Sequence, residues 1–211
     1  MSENLSAVKQ IRNSELGCVY ITEDDDGMRN SIQTSLTLLG YKVSAYKNPL
    51  DFLALDVLDA PAVLITDMRM PEISGIDLQG ALAKRGNHIP IIYVSGQSTL
   101  EQGLRAMKQG ALDFLLKPFG REDLIKAVVK GMDTDLKRLQ ALNKKERLTY
   151  LLETLTKSEL EIFKLLEKGF NNQEIVKSTG LTLYTVKNYK TKVMQKLGVK
   201  TLAELIRLQE M

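Results

Sequence analysis

The sequence predicts an α/β protein with a doubly wound, five-stranded parallel sheet, followed by a separate all-α domain of four short helices. Three observations carry this prediction. Short apolar strand segments alternate with helical patterns five times, and only helical patterns follow from about residue 122. The charge divides in the same way: residues 17–134 carry 12 Lys and Arg against 15 Asp and Glu, and residues 135–211 carry 15 against 9.

The strands of the first part are short and apolar, which is typical of a parallel sheet covered by helices on both faces. They are predicted at 17–22, 41–46, 62–66, 89–95 and 112–116. The helical segments have apolar residues at three- and four-residue spacing, and most end at Gly. They are predicted at 27–40, 49–58, 75–86 and 99–110, with a fifth from about Glu122.

Composition excludes several classes of protein. No apolar run approaches the roughly 20 residues that span a bilayer, so no membrane association is expected. The N-terminal "MSENLSAVKQIRNSELG" lacks the apolar core of a signal peptide. Cys18 is the only cysteine, which excludes a disulfide framework, and we expect it to be a small core residue. The expected location is therefore cytoplasmic.

Four of the predicted strands run into polar residues at their carboxyl ends. These residues are Glu23 and Asp24 after the first strand, Asp67 at the third, Ser95 at the fourth and Lys117 at the fifth. In such a sheet, ligands bind at this edge. Close carboxylates need a cation, and oxygen ligands suit Mg²⁺, whereas a lysine and a hydroxyl suit phosphoryl oxygens. Asp67 is therefore interpreted as a carboxylate that accepts a phosphoryl group with Mg²⁺ assistance.

The motifs "ITEDD", "TDMRMPEISG", "VSGQ" and "DFLLKPF" resemble the receiver domain of bacterial two-component response regulators, a flavodoxin-like fold, over about residues 17–133. The resemblance implies that Asp67 takes a phosphoryl group from the phosphohistidine of a sensor histidine kinase. It also implies bound Mg²⁺, with Asp24, Asp67 and the backbone carbonyl of Arg69 as ligands. Glu23 replaces the more common Asp of the family and would act mainly through bound water.

The resemblance further identifies residues that would respond to phosphorylation. Lys117 would pair with the phosphoryl group, ahead of a cis bond to Pro118. Ser95 stands at the position of the switch hydroxyl and Phe114 at that of the switch aromatic. In the family these two re-form the face of the fourth helix and fifth strand, where dimers or partners dock. From the residues alone, plain core packing is an equally good explanation of Phe114.

Residues 134–153 are predicted to form a helical linker, because leucines recur among charged residues at three- and four-residue intervals. Two interpretations stay open. The linker could pair with a second copy of itself, or it could be a surface helix packed on its own domain.

Residues 154–211 are predicted to form four short helices, in the segments "TKSELEIFKLLEKG", "NNQEIVKSTG", "LTLYTVKNYKTKVMQKLG" and "TLAELIRLQEM". A short helix, a turn containing Gly180 and a longer basic helix make a helix-turn-helix. On the longer helix, Val186, Val193 and Leu197 form an apolar face with Tyr189 at its border. The opposite face suits phosphates and base edges in a major groove, and it carries Lys187, Asn188, Thr191, Lys192 and Gln195.

Residues 154–206 also resemble the LuxR-type helix-turn-helix, with Tyr189 in place of the usual His and Val176 in place of an Ala. The resemblance implies binding of double-stranded promoter DNA. It makes Lys187, Asn188 and Thr191 the candidates for reading bases, and Thr185, Lys190 and Lys192 the candidates for phosphate contacts. The final helix, with Leu202, Leu205 and Leu208, would support dimerisation. A receiver, a helical linker and this output domain are together similar to the nitrate- and nitrogen-fixation-type (NarL/FixJ) regulators.

The sequence thus predicts a transcription factor, not an enzyme, in which phosphorylated Asp67 favours a homodimer that binds two DNA half-sites. A Mg²⁺-dependent phosphatase with an aspartyl-phosphate is the first rival. Such an enzyme needs a second Asp two positions after the nucleophile, where this chain has Arg69. The second rival is a regulator whose receiver serves only for dimerisation, without phosphorylation. His88, the only histidine, is expected to be a loop residue before the fourth strand.

Overall fold

The structure, a computed structural model, describes residues 16–96 and 100–208, which form two compact units divided between Arg138 and Leu139. The first unit contains strands β1 (Cys18–Thr22), β2 (Lys42–Tyr46), β3 (Ala62–Asp67), β4 (Ile91–Ser95) and β5 (Asp113–Leu116). Its helices are α1 (Asp26–Thr37), α2 (Pro49–Leu53), α3 (Gly75–Lys84) and α4 (Leu100–Lys108). Helix α5 (Arg121–Glu153) runs past the division, and α6 (Lys157–Glu167), α7 (Asn172–Thr179), α8 (Leu183–Leu197) and α9 (Leu202–Arg207) follow.

The five strands form one parallel sheet in the order β2-β1-β3-β4-β5, which confirms the predicted fold class. The strand order reverses between β1 and β3, so the sheet has its switch point between these two strands. Strand β3 runs one residue further than predicted and ends at Asp67 itself.

Both faces of the sheet are buried, because side chains alternate along each strand. Val63 and Ile65 face one core, with residues of α1 and α5, whereas Leu64 faces the other, with residues of α2, α3 and α4. Cys18 belongs to the second of these cores, as predicted. The continuous apolar character of the strands follows from this double burial.

Helix α2 is shorter than its predicted range of 49–58, and that prediction was wrong. At the end of the helix, the guanidinium of Arg85, after α3, donates to the backbone oxygen of Leu53, one of the carbonyls that a helix end leaves without an intrahelical donor. A further helical turn would need that oxygen for the N–H of Val57. The chain instead ends the helix with a tighter turn of the 3₁₀ type, in which the N–H of Leu55 donates to the oxygen of Phe52 at 3.1 Å.

Several predicted features lie outside the described residues. They are the polar N-terminal segment up to residue 15, Gln97 of the "VSGQ" motif, the predicted helix start at Thr99, and the last three residues of the chain. His88 is exposed in the loop before β4, as predicted.

The predicted linker is helical throughout, as the C-terminal part of α5. The buried residues of this helix end at Asp135. Leu136 and Leu142 are each 44% exposed. Pairing of this segment with a second copy stays a prediction.

The buried carboxylate of Asp135 fastens α5 to the sheet. Its side chain is 1% exposed; one oxygen accepts the backbone N–H of Ala62 at 2.8 Å, and the other accepts Nε of Arg138 at 2.7 Å. Gly131, one turn earlier, permits close packing, since a Cβ there would lie 2.4 Å from Cγ2 of Val63. A buried charge is tolerated only when it is paired and hydrogen-bonded, and both conditions hold here.

Helices α6 to α9 surround a separate core, which confirms the predicted all-α second part of the chain. Thr156 and Asn171 begin α6 and α7 with reciprocal capping boxes. The turn between α7 and α8 contains Gly180, whose φ of 70° is a left-handed conformation that favours glycine. The buried side chains of this core are Leu155, Ile162, Phe163, Leu166, Ile175, Val186, Val193, Leu197 and Leu205.

Replacing Asp135 by Ala should destabilise the first unit by about 3 kcal/mol, because a buried N–H and a guanidinium lose their acceptor. Asp133→Ala is the matched control. Asp133 lies on the same helix and pairs with Lys137 at 2.6 Å, but both side chains are exposed, and such pairs contribute about 0–1 kcal/mol. The free energy of unfolding of both variants can be measured by urea unfolding, read by pulsed hydrogen exchange on peptides of β3. If Asp133→Ala lost as much stability as Asp135→Ala, the anchoring role of Asp135 would be contradicted.

Glu159 predicts a pH dependence for the second unit. A hydrogen bond from the Lys196 ammonium at 2.6 Å, and another from the Thr156 backbone N–H at 2.9 Å, lower the pKa of Glu159. The stabilisation is therefore complete above the ordinary Glu pKa of about 4.3, and it is lost as the pH falls through the lower pKa of the folded state. Glu159→Gln should remove this part of the pH dependence of the free energy of unfolding.

The same pulsed-exchange measurement on peptides of α6, from pH 7 to pH 3, tests this expectation. Glu161→Gln is the control, because Glu161 is exposed on the same helix. If wild type and Glu159→Gln lost stability in parallel as the pH fell, the Lys196 pair would not carry the effect.

Candidate functional site

The carboxyl ends of β1, β3, β4 and β5 bring the predicted polar residues to one edge of the sheet. Strands β1 and β3 are in register, with Thr22 beside Thr66, and Asp67 is beside Val94 of β4. Ser95 in turn lies beside Leu116 of β5. Residues predicted from separate segments therefore meet at the switch point of the sheet.

Lys117 joins the two buried carboxylates of this edge. Its ammonium nitrogen lies 2.6 Å from Oδ2 of Asp67 and 2.7 Å from Oε2 of Glu23. Glu23 is 1% exposed and Asp67 is 8% exposed, so neither charge is well hydrated. Because two unpaired carboxylates would be costly at such burial, the bridging ammonium is the main local source of charge compensation.

The pKa shifts follow from this arrangement. Burial raises the pKa of Glu23, the charge of Asp67 raises it further, and the hydrogen bond from Lys117 opposes both. For Lys117, burial lowers the pKa, but the hydrogen bonds and charges of Asp67 and Glu23 together outweigh burial, so its pKa lies above the ordinary value. Lys117 is therefore held as a cation beside Asp67.

The backbone after β3 fixes the other oxygen of Asp67. Oδ1 accepts the N–H of Arg69 at 2.8 Å, so both carboxylate oxygens have a donor. The turn that follows is tight, since a Cβ on Gly75 would lie 2.5 Å from the backbone oxygen of Asp67. Behind the site, the hydroxyl of Thr22 donates to that of Thr66 at 2.7 Å, which joins β1 to β3.

Three carboxylates form a group that fits a hard cation. Glu23, Asp24 and Asp67 each offer an oxygen, and these oxygens lie within 4.8 Å of one another. An all-oxygen set of this kind suits Mg²⁺. Asp24 is more exposed than the other two, so the group opens to solvent on its side.

The neighbouring acidic residues have other partners. Asp25 begins α1 by accepting the N–H of Met28 at 2.6 Å, and Asp26 pairs with Arg29. Sequence reasoning did not assign Arg29, whose guanidinium also donates to the backbone oxygen of Glu23 at 2.9 Å. Arg29 thus fixes the loop that carries Glu23, and its position in the first turn of α1 was the available signal.

Ser95 and Phe114 lie on the neighbouring strands β4 and β5. Ser95 is buried, and its backbone oxygen accepts the N–H of Lys117 at 2.8 Å. Phe114 is half-buried, and its Cζ would lie 4.0 Å from a Cβ placed on Gly103 of α4. The bond between Lys117 and Pro118 is cis, as the resemblance implied. The switching roles of Ser95 and Phe114 stay predictions.

Helix α8 has the two faces that the sequence predicted. Val186, Val193 and Leu197 are buried, and Tyr189 is half-buried at the border. The exposed residues of the opposite face are Lys187, Asn188, Thr191, Lys192 and Gln195.

Two of the predicted phosphate contacts are half-buried, unlike the residues of this exposed face. Thr185 is half-buried, and its hydroxyl oxygen lies 2.8 Å from that of Thr182, the residue that begins the helix. Lys190 is half-buried and lies about 40° from Val186 on a wheel of about 100° per residue, next to the buried face. The structure therefore brings Lys187, Asn188, Thr191 and Lys192 together, but leaves Lys190 on another side.

No helix within the described part of the chain is long and apolar enough to cross a membrane.

Known families match both parts of the chain. The response regulator receiver domain matches residues 19–129, and the bacterial regulatory proteins of the luxR family match residues 153–209. Nodulation protein W of Bradyrhizobium diazoefficiens is 38% identical over 192 residues, covering 91% of this chain and 85% of that protein. The transcriptional regulatory protein FixJ of Azorhizobium caulinodans is 30% identical over 190 residues, covering 90% of each chain.

Among solved structures, the response regulator StyR is similar with a TM-score of 0.80 and 33% identity, over 92% of this chain and 98% of that one. The two family models match this chain in the order in which the structure has its α/β part and its all-α part. The chain therefore belongs to the two-component response regulators of the NarL/FixJ type, and is a transcriptional regulator with a receiver domain and a LuxR-type DNA-binding domain.

Proposed function

We propose that a sensor histidine kinase phosphorylates this regulator on Asp67 in the cytoplasm, and that phosphorylation produces the homodimer that binds promoter DNA. We assign 17–133 to the receiver domain, 134–153 to the linker and 154–211 to the DNA-binding domain. The observation that carries the proposal is the Asp67 carboxylate, held by Lys117 at 2.6 Å beside Glu23 and Asp24.

The side chains present suit phosphoryl transfer to Asp67. An oxygen of Asp67 attacks the phosphorus of the donor's phosphohistidine, the new P–O bond forms, and the P–N bond to imidazole breaks. Lys117, kept cationic by its neighbours, exchanges a carboxylate oxygen for a phosphoryl oxygen. Mg²⁺, held by Asp24, Asp67 and the Arg69 carbonyl, with Glu23 mainly through water, would neutralise charge on the phosphoryl oxygens.

The proposed switch runs from Ser95 to Phe114. The Ser95 hydroxyl would bond the phosphoryl group, and the end of β4 would move with it. Lys117 is coupled to that movement, because its N–H donates to the Ser95 backbone oxygen. Phe114 lies beside Gly103 of α4, so a movement of its ring would be felt at that helix.

The face of α4 and β5 is the proposed dimerisation surface. Leu104, Met107 and Leu116 are 54%, 43% and 61% exposed, so three large apolar side chains face solvent there. Exposed apolar groups of this kind are typical of protein–protein contacts. A change at Phe114 of β5 would alter this surface directly.

Asp67→Asn should abolish the response to phosphorylation, since an amide is a poor nucleophile and lacks the charge that pairs with Lys117. In Mg²⁺ with beryllofluoride, wild type should double its mass by light scattering and bind promoter DNA more tightly, whereas Asp67→Asn should do neither. Asp51→Asn, which removes an exposed carboxylate on α2, should respond as wild type does.

If wild type and Asp67→Asn bound DNA equally under every condition, the receiver would be a constitutive dimerisation module. That result would support the rival in which phosphorylation plays no part.

Replacing Lys192 by Ala should weaken DNA binding and reduce its dependence on salt. Each phosphate contact contributes about 0.9 to the slope of log K against log salt, so a dimer losing two contacts should lose about 2 from that slope. Asn188→Ala should instead weaken binding to the specific site by about 1–3 kcal/mol with little change in slope. Fluorescence anisotropy between 50 and roughly 200 mM salt measures both quantities.

Lys164→Ala, an exposed lysine on α6, is the control for charge alone. A loss of slope as large as that of Lys192→Ala would show that net charge, not the exposed face of α8, governs the affinity.

A further inference from the structure

One large aromatic side chain on α8 is mostly exposed to solvent. Tyr184 is 76% exposed, and within the described residues its side chain forms no hydrogen bond and no ring contact. It lies in the first turn of α8, directly after Leu183. An exposed aromatic ring contributes little to folding, so this position suggests a contact with a ligand.

Helical geometry puts Tyr184 in line with the exposed polar residues. On a wheel of about 100° per residue, it lies about 20° from Thr191, about 40° from Asn188 and about 160° from the buried Val186. Positions 184, 187, 188 and 191 have the spacing i, i+3, i+4 and i+7 that marks one face of a helix. Tyr184 is therefore the N-terminal member of the row that contains Lys187, Asn188 and Thr191.

Leu183 provides a contrast within the same turn. It is 46% exposed, but it lies only about 60° from Val186 on the same wheel, towards the buried face of α8. Leu183 and Tyr184 are thus both exposed but lie on different faces of α8. Of these two residues, Tyr184 is the one on the face that carries the DNA-contact candidates.

The other residues of this row carry polar groups, so an aromatic ring adds an apolar contact that they do not offer. Residues in the N-terminal part of a recognition helix contact base edges in the major groove. Lys187 and Asn188 offer hydrogen-bonding groups, and the Thr191 hydroxyl already donates to the backbone oxygen of Lys187 at 3.0 Å. The ring of Tyr184 is the largest apolar surface of the row, and the apolar group of a base edge in this groove is the C5-methyl of thymine.

We propose that Tyr184 is a specificity-determining residue, whose ring packs on the C5-methyl group of one thymine in each half-site. This inference rests on the proposed DNA-binding function. The ring, not the hydroxyl, makes the contact. We therefore expect Tyr184→Phe to keep the preference for thymine over uracil and Tyr184→Ala to lose it.

Replacing thymine by deoxyuridine tests the inference, since it removes only that methyl group. The full chain, treated with beryllofluoride and Mg²⁺, first selects its preferred duplex from a random pool. Each thymine is then replaced in turn, at matching positions of both half-sites. Anisotropy gives the dissociation constants for wild type, Tyr184→Phe, Tyr184→Ala and Leu183→Ala, all checked for folding by circular dichroism.

For wild type, Tyr184→Phe and Leu183→Ala, one thymine position should show a loss of about fourfold per half-site, the effect of one buried methyl-sized group. Tyr184→Ala should bind thymine and uracil duplexes equally at that position. The effects of Tyr184→Ala and of removing the methyl group would then not add, which is the mark of a direct contact; a variant that only weakened DNA binding in general would show additive effects.

Three results would overturn the assignment while DNA binding stands. They are full thymine preference in Tyr184→Ala, loss of affinity in Tyr184→Phe without any uracil effect, and a selected site with no thymine common to both half-sites. If activated wild type enriched no duplex at all, the proposed DNA-binding function would fail, and this inference would fail with it.

Discussion

The ammonium of Lys117, between the carboxylates of Asp67 and Glu23, is the interaction on which the receiver site depends. Two acidic side chains with exposures of 1% and 8% are costly to bury side by side unless a cation lies between them. Each of the three residues comes from a different strand end, so the cluster forms only when β1, β3 and β5 have their observed places. The Ser95 carbonyl, which accepts the N–H of Lys117, extends the same arrangement to β4.

The fold was largely predictable because its signals are local. Apolar strands alternating with amphipathic helices define a covered parallel sheet, and parallel strands bring their carboxyl ends to one edge, which is why Asp67, Asp24, Glu23 and Lys117 could be placed together. Long-range contacts away from this edge of the sheet could not be predicted. Arg85 donates to the backbone oxygen of Leu53 across 32 residues, and Asp135 accepts the N–H of Ala62 across 73 residues.

On α8, too, features that depend on residue spacing could be predicted, whereas features that depend on packing against other helices could not. The apolar face was evident from spacing, whereas the half-buried position of Lys190 depends on the helices that cover that side. Lys196, at the end of the helix, is engaged by Glu159. Lys187 and Lys192 are the lysines of α8 on its exposed face. Tyr184 was not assigned from the sequence, because a single aromatic residue among polar ones gives no periodic signal.

The low exposure of Asp67 has a consequence for the duration of a signal. The carboxylate is 8% exposed, and the site opens to solvent beside Asp24. In the proposed function, the phosphodonor and the water that hydrolyses the aspartyl-phosphate must both reach the same small exposed surface of Asp67. A change that covers this surface would therefore slow phosphorylation and hydrolysis together, and would lengthen the lifetime of a signal as it delays its start.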